Sequence, residues 1–238
     1  MLPWETVGQA RLEDGTELVL ARRGDEWVVR AGGRVLMASR QHGSEDALAE
    51  LALVWPGPSR GAGRTVLVGG LGLGYTLRAA LDRLGPNDRA VVAEISADLV
   101  AWNRGPLAPL AGRPLEDPRV RLQIGDVAGR IEEARGAFDA ILLDVDNSPS
   151  SLVLAGNDRL YGDRGVRSCR EALRAGGALA VWSAGPDEPY RARLRRAGFD
   201  VEARVVPARG ASAGGARHVI FVARKARAPG RERPAPER

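Results

Sequence analysis

The sequence predicts a doubly wound α/β sheet that is preceded by a small β-rich module. Short apolar strands alternate with helical segments from about residue 64 onward, which is typical of a parallel sheet covered on both faces. A cluster of glycines follows the first of these strands, and an acidic residue follows each of the next three. Open α/β sheets bind ligands at this edge, so the pattern also predicts a ligand site.

The composition is that of an ordinary globular protein. The chain has 238 residues, of which 44% are hydrophobic and 27% are charged. No apolar run approaches the roughly 18 residues that cross a bilayer. Residues 1–10 lack a basic stretch followed by an apolar one, so we expect no signal peptide and a cytoplasmic location. The single cysteine, Cys169, falls in a predicted helix and is interpreted as part of the core.

The net charge of +5 does not indicate a nucleic-acid-binding protein. Lys225 is the only lysine, and the arginines alternate with acids along the chain. Nucleic-acid-binding surfaces combine clustered basic residues with aromatic ones, and the sequence contains no such cluster. We therefore expect a small-molecule partner and no membrane association, and a homodimer remains open.

Three parts are distinguished along the chain. Residues 1–56 form an N-terminal β-hairpin module with a short helix that Ser44 is predicted to cap. Residues 64–224 form the α/β domain, and residues 225–238, rich in arginine and proline, are expected to be a disordered basic tail. The predicted strands are 16–20, 26–30, 34–38, 65–68, 90–93, 120–124, 138–143, 178–182, 200–206 and 218–223, and the predicted helices are 44–54, 77–84, 96–103, 127–135 and 163–174. The last two strands are joined without a helix and should be antiparallel.

The glycine cluster lies between the first strand and the first helix of the α/β domain. Gly70, Gly72 and Gly74 occur in the segment VLVGGLGLGYT at residues 66–76. Glycine permits a sharp turn and a close approach of a ligand to the backbone. A tight strand-to-helix turn without a ligand would show the same cluster, so a binding site is predicted only together with the acids that follow.

Three acids occupy equivalent positions in successive βα units. Glu94 ends the second strand, Asp126 follows the third, and Asp144 ends the fourth. Each of them alone is explained by a turn or a helix cap, but together they favour a nucleotide whose ribose binds Glu94. A dinucleotide would place a pyrophosphate at the helix N-terminus. An S-adenosyl ligand needs carboxylates for the ribose, the adenine and a cationic tail, and Asp126 favours this second ligand.

These motifs resemble those of the spermidine synthase family, a branch of the class I methyltransferase fold. Residues 68–78 resemble the family's motif GGGDGGTLR, and Glu94-Ile95 resembles its ribose-binding acid. Gly125-Asp126 resembles its adenine site, and residues 138–144 resemble its segment Y-D-V-I-I-x-D. The resemblance implies a Rossmann-like fold and an S-adenosyl cofactor, with a site formed by Gly70, Gly72, Gly74, Glu94, Ile95, Gly125, Asp126 and Val127.

The resemblance is incomplete where the family binds its amine. Leu73 stands in place of the acid that holds the aminopropyl ammonium in the family. The family's D-x-x-D-P motif reads DVDNSP here, with Asp144 retained, Asn147 at the second acidic position and Asp146 as an additional acid. Each lost charge-assisted bond costs roughly 1.5–3 kcal/mol, which predicts poor classical spermidine synthesis.

The remaining candidate residues lie in the N-terminal module and in the last strand. Of the family's helix motif D-E-x-x-Y-H-E, only Glu45 and Glu50 are retained. His42 is a candidate general base at neutral pH, and a loop or helix-cap role explains it equally well. His218 lies in a terminal strand and is interpreted as structural.

The sequence therefore predicts a transferase of the methyltransferase or aminopropyltransferase type. The donor would be S-adenosylmethionine or its decarboxylated form, and the acceptor a small amine. The candidates for catalysis are Asp144, Asp146 and His42, with Asp144 as the leading base. The sequence contains no cysteine and histidine cluster that indicates a metal. A non-catalytic, regulatory protein that binds S-adenosyl ligands is the alternative, and a nicotinamide-dependent enzyme is disfavoured.

Overall fold

The computed structural model describes residues 2–12, 14–54, 63–145, 158–209 and 215–227. Asp146 and most of the predicted tail, residues 228–238, lie outside these described residues. Two sheets are present in the described part, one with four strands and one with seven. The seven-stranded sheet confirms the predicted α/β fold class, and the four-stranded sheet is the predicted β-rich module.

The N-terminal module is an antiparallel sheet in which the strands follow one another in chain order. Its strands are β1 (Glu5–Arg11), β2 (Glu17–Arg23), β3 (Glu26–Ala31) and β4 (Arg34–Ala38). The turn dipeptides in the sequence predict the last three of these strands, β2, β3 and β4. The sequence prediction omits β1 because the segment ETVGQAR has few apolar residues and is mostly exposed.

The large sheet has the strand order β10-β11-β9-β8-β5-β6-β7. Its strands are β5 (Thr65–Gly69), β6 (Arg89–Glu94), β7 (Val120–Ile124), β8 (Phe138–Leu143), β9 (Leu173–Ser183), β10 (Phe199–Pro207) and β11 (Arg217–Lys225). The strands from β9 to β7 are parallel. β11 is antiparallel to β10, as predicted, and it is also antiparallel to β9. The strand order reverses at β5, between β8 and β6, which is the point where open sheets of this kind bind ligands.

Helices cover both faces of the large sheet. They are α1 (Gly43–Ala52), α2 (Tyr75–Leu81), α3 (Ala97–Arg104), α4 (Val127–Glu133), α5 (Asp158–Tyr161), α6 (Asp163–Ala172) and α7 (Glu188–Arg196), with 3-10 helices at Ala108–Ala111 and Pro114–Glu116. One core contains α4, α6 and α7, and Cys169 is buried in it as predicted. The other core contains α1 and α2. The sequence prediction omits α7, because its segment EPYRARLRR buries only Tyr190 and Leu194.

Helix α1 belongs to the packing of the large sheet. Leu48, Ala49 and Ala52 are fully buried in the same core as β5 and β9. The N-terminal sheet instead packs on α3 and on the glycine loop, through a cluster that includes Leu18, Leu73 and Leu99. The boundary of the N-terminal module near residue 56 stays a prediction, since residues 55–62 are outside the described part.

The prediction that Ser44 caps α1 is wrong. His42 occupies the N-cap position, and its side chain makes no capping hydrogen bond. Ser44 lies inside the helix and is 1% exposed. Its hydroxyl finds side-chain partners on β9 and β11 instead of a free backbone amide.

Within the described ranges, no helix is both long and apolar enough to cross a membrane.

Candidate active site

A cavity of about 400 Å³ lies between the N-terminal sheet and the carboxyl edge of the large sheet. Residues from the ends of β5, β6, β7 and β8 line it on one side, and residues of β3 and β4 line it on the other. Of the sequence-predicted site, the residues that line this cavity are Gly70, Gly72, Glu94, Ile95, Gly125, Asp126, Val127 and Asp144. The topology therefore brings together side chains that the sequence spreads over four βα units.

The glycine loop contains three residues with positive φ angles, and two of them lie close to other segments. Gly70 has φ +87°, and a Cβ atom there would lie 2.4 Å from the backbone oxygen of Asp144. Gly74 has φ +89° and precedes α2, where a Cβ atom would lie 3.2 Å from Pro114. Gly70 therefore lets the loop lie against the end of β8, whereas Gly74 shapes the entry into α2 without lining the cavity.

Glu94 holds the glycine loop from the end of β6. One carboxylate oxygen accepts a hydrogen bond from the Leu71 amide at 2.8 Å, and the other accepts one from the Ser96 amide at 2.9 Å. The side chain is 6% exposed, and burial raises the pKa of this carboxyl despite these two bonds. Each carboxylate oxygen can accept more than one hydrogen bond, so Glu94 retains capacity for ligand hydroxyls.

Asp126 combines a structural contact with a position in the cavity. Its Oδ1 accepts a hydrogen bond from the Ala128 amide at 2.9 Å, which caps α4. Its Oδ2 lies 3.1 Å from Arg159 in an exposed ion pair. Asp126 thus has the structural role of a helix cap, and its carboxyl also borders the large cavity.

The large cavity suits a cationic nucleoside. Its charged lining residues in the described part are Glu94, Asp126, Asp144 and Arg34, and apolar side chains of the N-terminal sheet supply much of the remaining wall. Three carboxyls against one guanidinium favour a ligand with positive charge. These residues fit an S-adenosyl sulfonium ligand.

A second, smaller cavity of about 80 Å³ adjoins the first. The two cavities share Met37, Gly72 and Asp144, and the smaller one is also lined by Glu45 and Tyr75. A ligand in the large cavity and a ligand in the small one would therefore meet at Asp144.

Asp144 is fixed at the junction of the two cavities. Its amide donates to the Gly69 carbonyl oxygen at 2.9 Å, and its Oδ2 accepts a hydrogen bond from the Thr76 hydroxyl at 2.6 Å. Burial raises the pKa of this carboxyl, and the Thr76 bond opposes that effect. A carboxyl with a raised pKa is suited to accept a proton near neutral pH.

Glu45 supplies a second carboxyl from α1. Burial and the nearby charge of Asp144 raise its pKa to about 8, although it accepts a hydrogen bond from the Ser44 hydroxyl at 2.6 Å. Two acids that face one small cavity oppose each other's ionisation and together attract a cation. The sequence marks Glu45 only through the family's helix motif.

The other retained acid of that motif lies elsewhere. Glu50 is exposed and forms an ion pair with Arg83 at 2.9 Å. The helical spacing between Glu45 and Glu50 places them on different sides of α1.

His42 is separated from the small cavity by Tyr75. Its ring stacks on that of Tyr75 with centroids 4.1 Å apart, and its Nδ1 lies 2.8 Å from Asp46 Oδ2. The hydroxyl of Tyr75 donates to the Ser39 carbonyl oxygen at 3.2 Å. His42 thus supports a wall of the site and does not itself line either cavity. Its role as a base stays a prediction.

Two aromatic residues of the small cavity are missing from the sequence-predicted site. Tyr75 lies within the glycine motif, where the family pattern has glycine, so a signal for it exists. Trp182 lies at the end of β9 and reaches the cavity only through the fold. The apolar sequence around Trp182 does not predict that it lines the cavity.

Leu73, in the place of the family's acid, is 5% exposed. It packs with Leu18 and Leu99 in the cluster between the N-terminal sheet and α3, and it also borders the small cavity. No group of three or more potential metal ligands occurs within the described stretches.

Comparison with known proteins supports the resemblance. No family model matches the chain. The chain is 32% identical over 154 residues to the polyamine aminopropyltransferase of Nitrosomonas europaea, an alignment that covers 64% of this chain and 46% of the relative. It is 32% identical over 144 residues to the polyamine aminopropyltransferase of a Synechococcus strain, covering 60% of this chain and 45% of the relative. The chain thus spans about half the length of these relatives.

Solved structures share the fold. The spermidine synthase from Thermotoga maritima superposes with a TM-score of 0.72 at 18% identity, covering 92% of this chain and 72% of that one. A spermidine synthase in complex with the transition-state analogue AdoDATO superposes with a TM-score of 0.70 over the same shares, also at 18% identity. The sequence similarity to polyamine aminopropyltransferases supports the resemblance of this chain to the spermidine synthase family, and the solved structures show that it shares their fold.

Proposed function

We propose that this chain transfers an aminopropyl group from decarboxylated S-adenosylmethionine to a small amine. The observation that carries the proposal is the pair of carboxyls, Glu45 and Asp144, in a small cavity that adjoins the nucleoside-sized one. An amine acceptor arrives as a cation near neutral pH, and a pair of carboxyls in a partly desolvated cavity attracts such a group.

The donor would occupy the large cavity. Glu94 would accept hydrogen bonds from the ribose hydroxyls, and Asp126 would accept one from the adenine amine. Ile95 is 58% exposed beside Glu94 and offers an apolar surface to the base. The sulfonium would then lie toward Asp144, where the two cavities meet. The bound donor supplies an activated carbon, so the protein mainly has to align the acceptor and remove its proton.

Asp144 would carry out the proton step. The acceptor ammonium gives up one proton to this carboxylate, and the nitrogen lone pair then forms a bond to the donor carbon. The carbon–sulfur bond breaks, and its electron pair stays on sulfur as a thioether. Positioned general bases typically contribute 10²–10⁴-fold, and the raised pKa of Asp144 brings it closer to that of a useful base.

Methyl transfer is the second candidate, and Leu73 favours it. An aminopropyl tail carries an ammonium, and the acid that the family places at this position is replaced by a buried leucine. Asp144 and Glu45 would have to compensate for that charge in the aminopropyl reaction. A methyl donor requires no ammonium contact from the residue at position 73.

The experiment is to incubate the purified protein with each donor and a panel of monoamines and diamines, putrescine included. Mass spectrometry of the nucleoside product separates the reactions, because aminopropyl transfer yields methylthioadenosine and methyl transfer yields S-adenosylhomocysteine. Methylthioadenosine that forms only when an amine is present supports the proposal. Calorimetric binding of either donor without any thioether product would instead identify a regulatory adenosyl-binding protein.

A further inference from the structure

A chain of polar side chains leads from the small cavity to the last strand of the sheet. The Ser44 hydroxyl lies 2.6 Å from Glu45 Oε2 and 2.9 Å from His218 Nδ1. Trp182 Nε1 lies 3.1 Å from the same hydroxyl and 3.3 Å from His218 Nδ1. Ser44 thus connects a carboxyl of the site to a histidine on β11 that the proposed reaction does not otherwise use.

Packing alone does not account for this row of hydrogen-bonded side chains. Side chains at neighbouring helix positions normally do not face each other, so the contact between Ser44 and Glu45 requires Glu45 to turn toward the hydroxyl. Ser44 is 1% exposed, and its hydroxyl is surrounded by three hydrogen-bonding atoms from different parts of the fold. The ring of His218 is only partly buried, and its edge contacts Trp182 with centroids 4.7 Å apart.

Two hydrogen-bonding arrangements satisfy the polar groups of Glu45, Ser44, His218 and Trp182. In the first, Glu45 is ionised, Ser44 donates to it, and Nδ1 of His218 donates to Ser44. In the second, Glu45 is protonated and donates to Ser44, while Ser44 donates to an unprotonated Nδ1 of His218. The Trp182 N–H can donate to the Ser44 oxygen in both. The arrangements differ by one proton moved between Glu45 and His218.

We propose that Ser44 and His218 form a proton relay that carries the proton released by the acceptor amine from the Glu45–Asp144 pair to solvent. A protonated Glu45 gives its proton to the Ser44 oxygen while the Ser44 proton moves to Nδ1 of His218. The resulting imidazolium releases its Nε2 proton to water, and Glu45 is again ionised. This role rests on the proposed function, and it makes His218 and Ser44 positioning residues that act through Glu45.

The surroundings of the relay hold the proton on Glu45 at rest, so its transfer to His218 is uphill and is completed by release from the ring to water. Among the described residues, the titratable groups that face Glu45 are Asp144 from the end of β8, Asp46 from α1 and Tyr75 from α2. A negative charge on any of them destabilises the ionised form of Glu45. Burial favours the neutral form of His218, so the ring does not retain the proton that it receives. Val206 on β10 lies opposite His218 and brings no charge.

The first test follows His218 directly and needs no turnover. The chain has two histidines, so ¹⁵N-labelled histidine gives few signals, and a His42→Gln variant assigns them. We expect the His218 ring to report two inflections in a pH titration, with the second near the Glu45 pKa of about 8. Glu45→Gln should remove the second inflection and leave the first near its wild-type pH, because Glu45 is already protonated in the range where His218 titrates. A His218 titration with one inflection that Glu45→Gln leaves unchanged would overturn the relay.

The second test measures turnover in a His218→Asn variant. Asparagine keeps a polar atom near the position of Nδ1 but cannot pass a proton on. We expect kcat to fall about tenfold, the KM for the donor to stay within twofold, and added imidazole to restore part of the rate. A variant with the kcat and pH profile of the wild type would overturn the proposal. If the protein turns over no amine at all, the proposed function fails, and the titration still decides whether Glu45 and His218 share a proton.

Discussion

Glu45 and Asp144 face the same small cavity, although one lies on α1 and the other at the end of β8. The backbone of Asp144 is fixed to β5 through the Gly69 carbonyl oxygen, and its side chain is bonded to Thr76. The side chain of Glu45 is held by Ser44. Two acids that oppose each other's ionisation are thus fixed from opposite sides of the site. A cation between them would relieve that repulsion.

Replacing Asp144 should separate chemistry from donor binding. Asp144→Asn keeps the shape and removes the proton-accepting charge, so turnover should fall by roughly 10²–10⁴-fold while donor affinity changes only a few-fold. Single-turnover assays and calorimetry measure the two effects. Asp98→Asn, an exposed acid in the first turn of α3, is the matched control and should have no effect. An unchanged rate in Asp144→Asn would eliminate it as the base and leave Asp146 or His42 as candidates.

Glu94 should contribute both to the affinity for the donor and to the stability of the glycine loop. Glu94→Gln keeps a side-chain oxygen but cannot accept hydrogen bonds at both ends, so donor binding should weaken by roughly 1–3 kcal/mol in calorimetry. The melting temperature should also fall, because one of the two loop-holding bonds is lost. Glu116→Gln, which removes an exposed ion pair with Arg113, serves as the control. Wild-type affinity in Glu94→Gln would mean that the ribose does not bind at this acid.

The raised pKa of Glu45 should make folding stability depend on pH. An acid whose pKa is higher in the folded protein binds more protons when folded, so stability falls as pH rises from its unfolded value near 4.5 to about 8. Glu45→Gln cannot ionise, and it should lose this dependence and gain stability relative to the wild type at pH 8.5. Urea denaturation of both proteins at pH 5.5 and 8.5 measures the difference. The same pH dependence in the two proteins would show that Glu45 ionises normally.

Gly70 should tolerate no side chain. Gly70→Ala places a Cβ atom 2.4 Å from a backbone oxygen at φ +87°, so the loop must move and the protein should lose on the order of 1–3 kcal/mol. Gly129→Ala is the matched control, because Gly129 lies within α4 with no atom near the added Cβ. It should stabilise the protein by roughly 0.5–1 kcal/mol. Thermal unfolding of the two variants should therefore shift in opposite directions.

The sequence predicts the large sheet and the donor side of the site well. Parallel strands carry continuous apolar runs, and their ends are marked by Gly70, Glu94, Gly125 and Asp126, so local patterns indicate both the fold and the cavity. Two of the omitted elements, β1 and α7, have little apolar periodicity because each packs only part of one face.

The acceptor side is less predictable because it is assembled from distant segments. Glu45, Tyr75 and Trp182 reach one cavity from α1, α2 and β9. The resemblance to the family points to Glu45 and Tyr75 separately, and nothing near Trp182 in the chain indicates that it joins them. Ser44 is an example of a local rule that fails. Its position before acids and apolar residues is typical of a helix cap, but the partners of its hydroxyl come from β9 and β11.

The position of Leu73 has a consequence for how this chain could change over evolutionary time. The leucine is part of an apolar cluster shared by the N-terminal sheet and α3, so an aspartate there would put a charge among Leu18, Leu99 and their neighbours. Introduction of the family's acid at this one position would therefore damage the fold before it could improve a reaction. The cluster acts as an epistatic barrier to that single substitution.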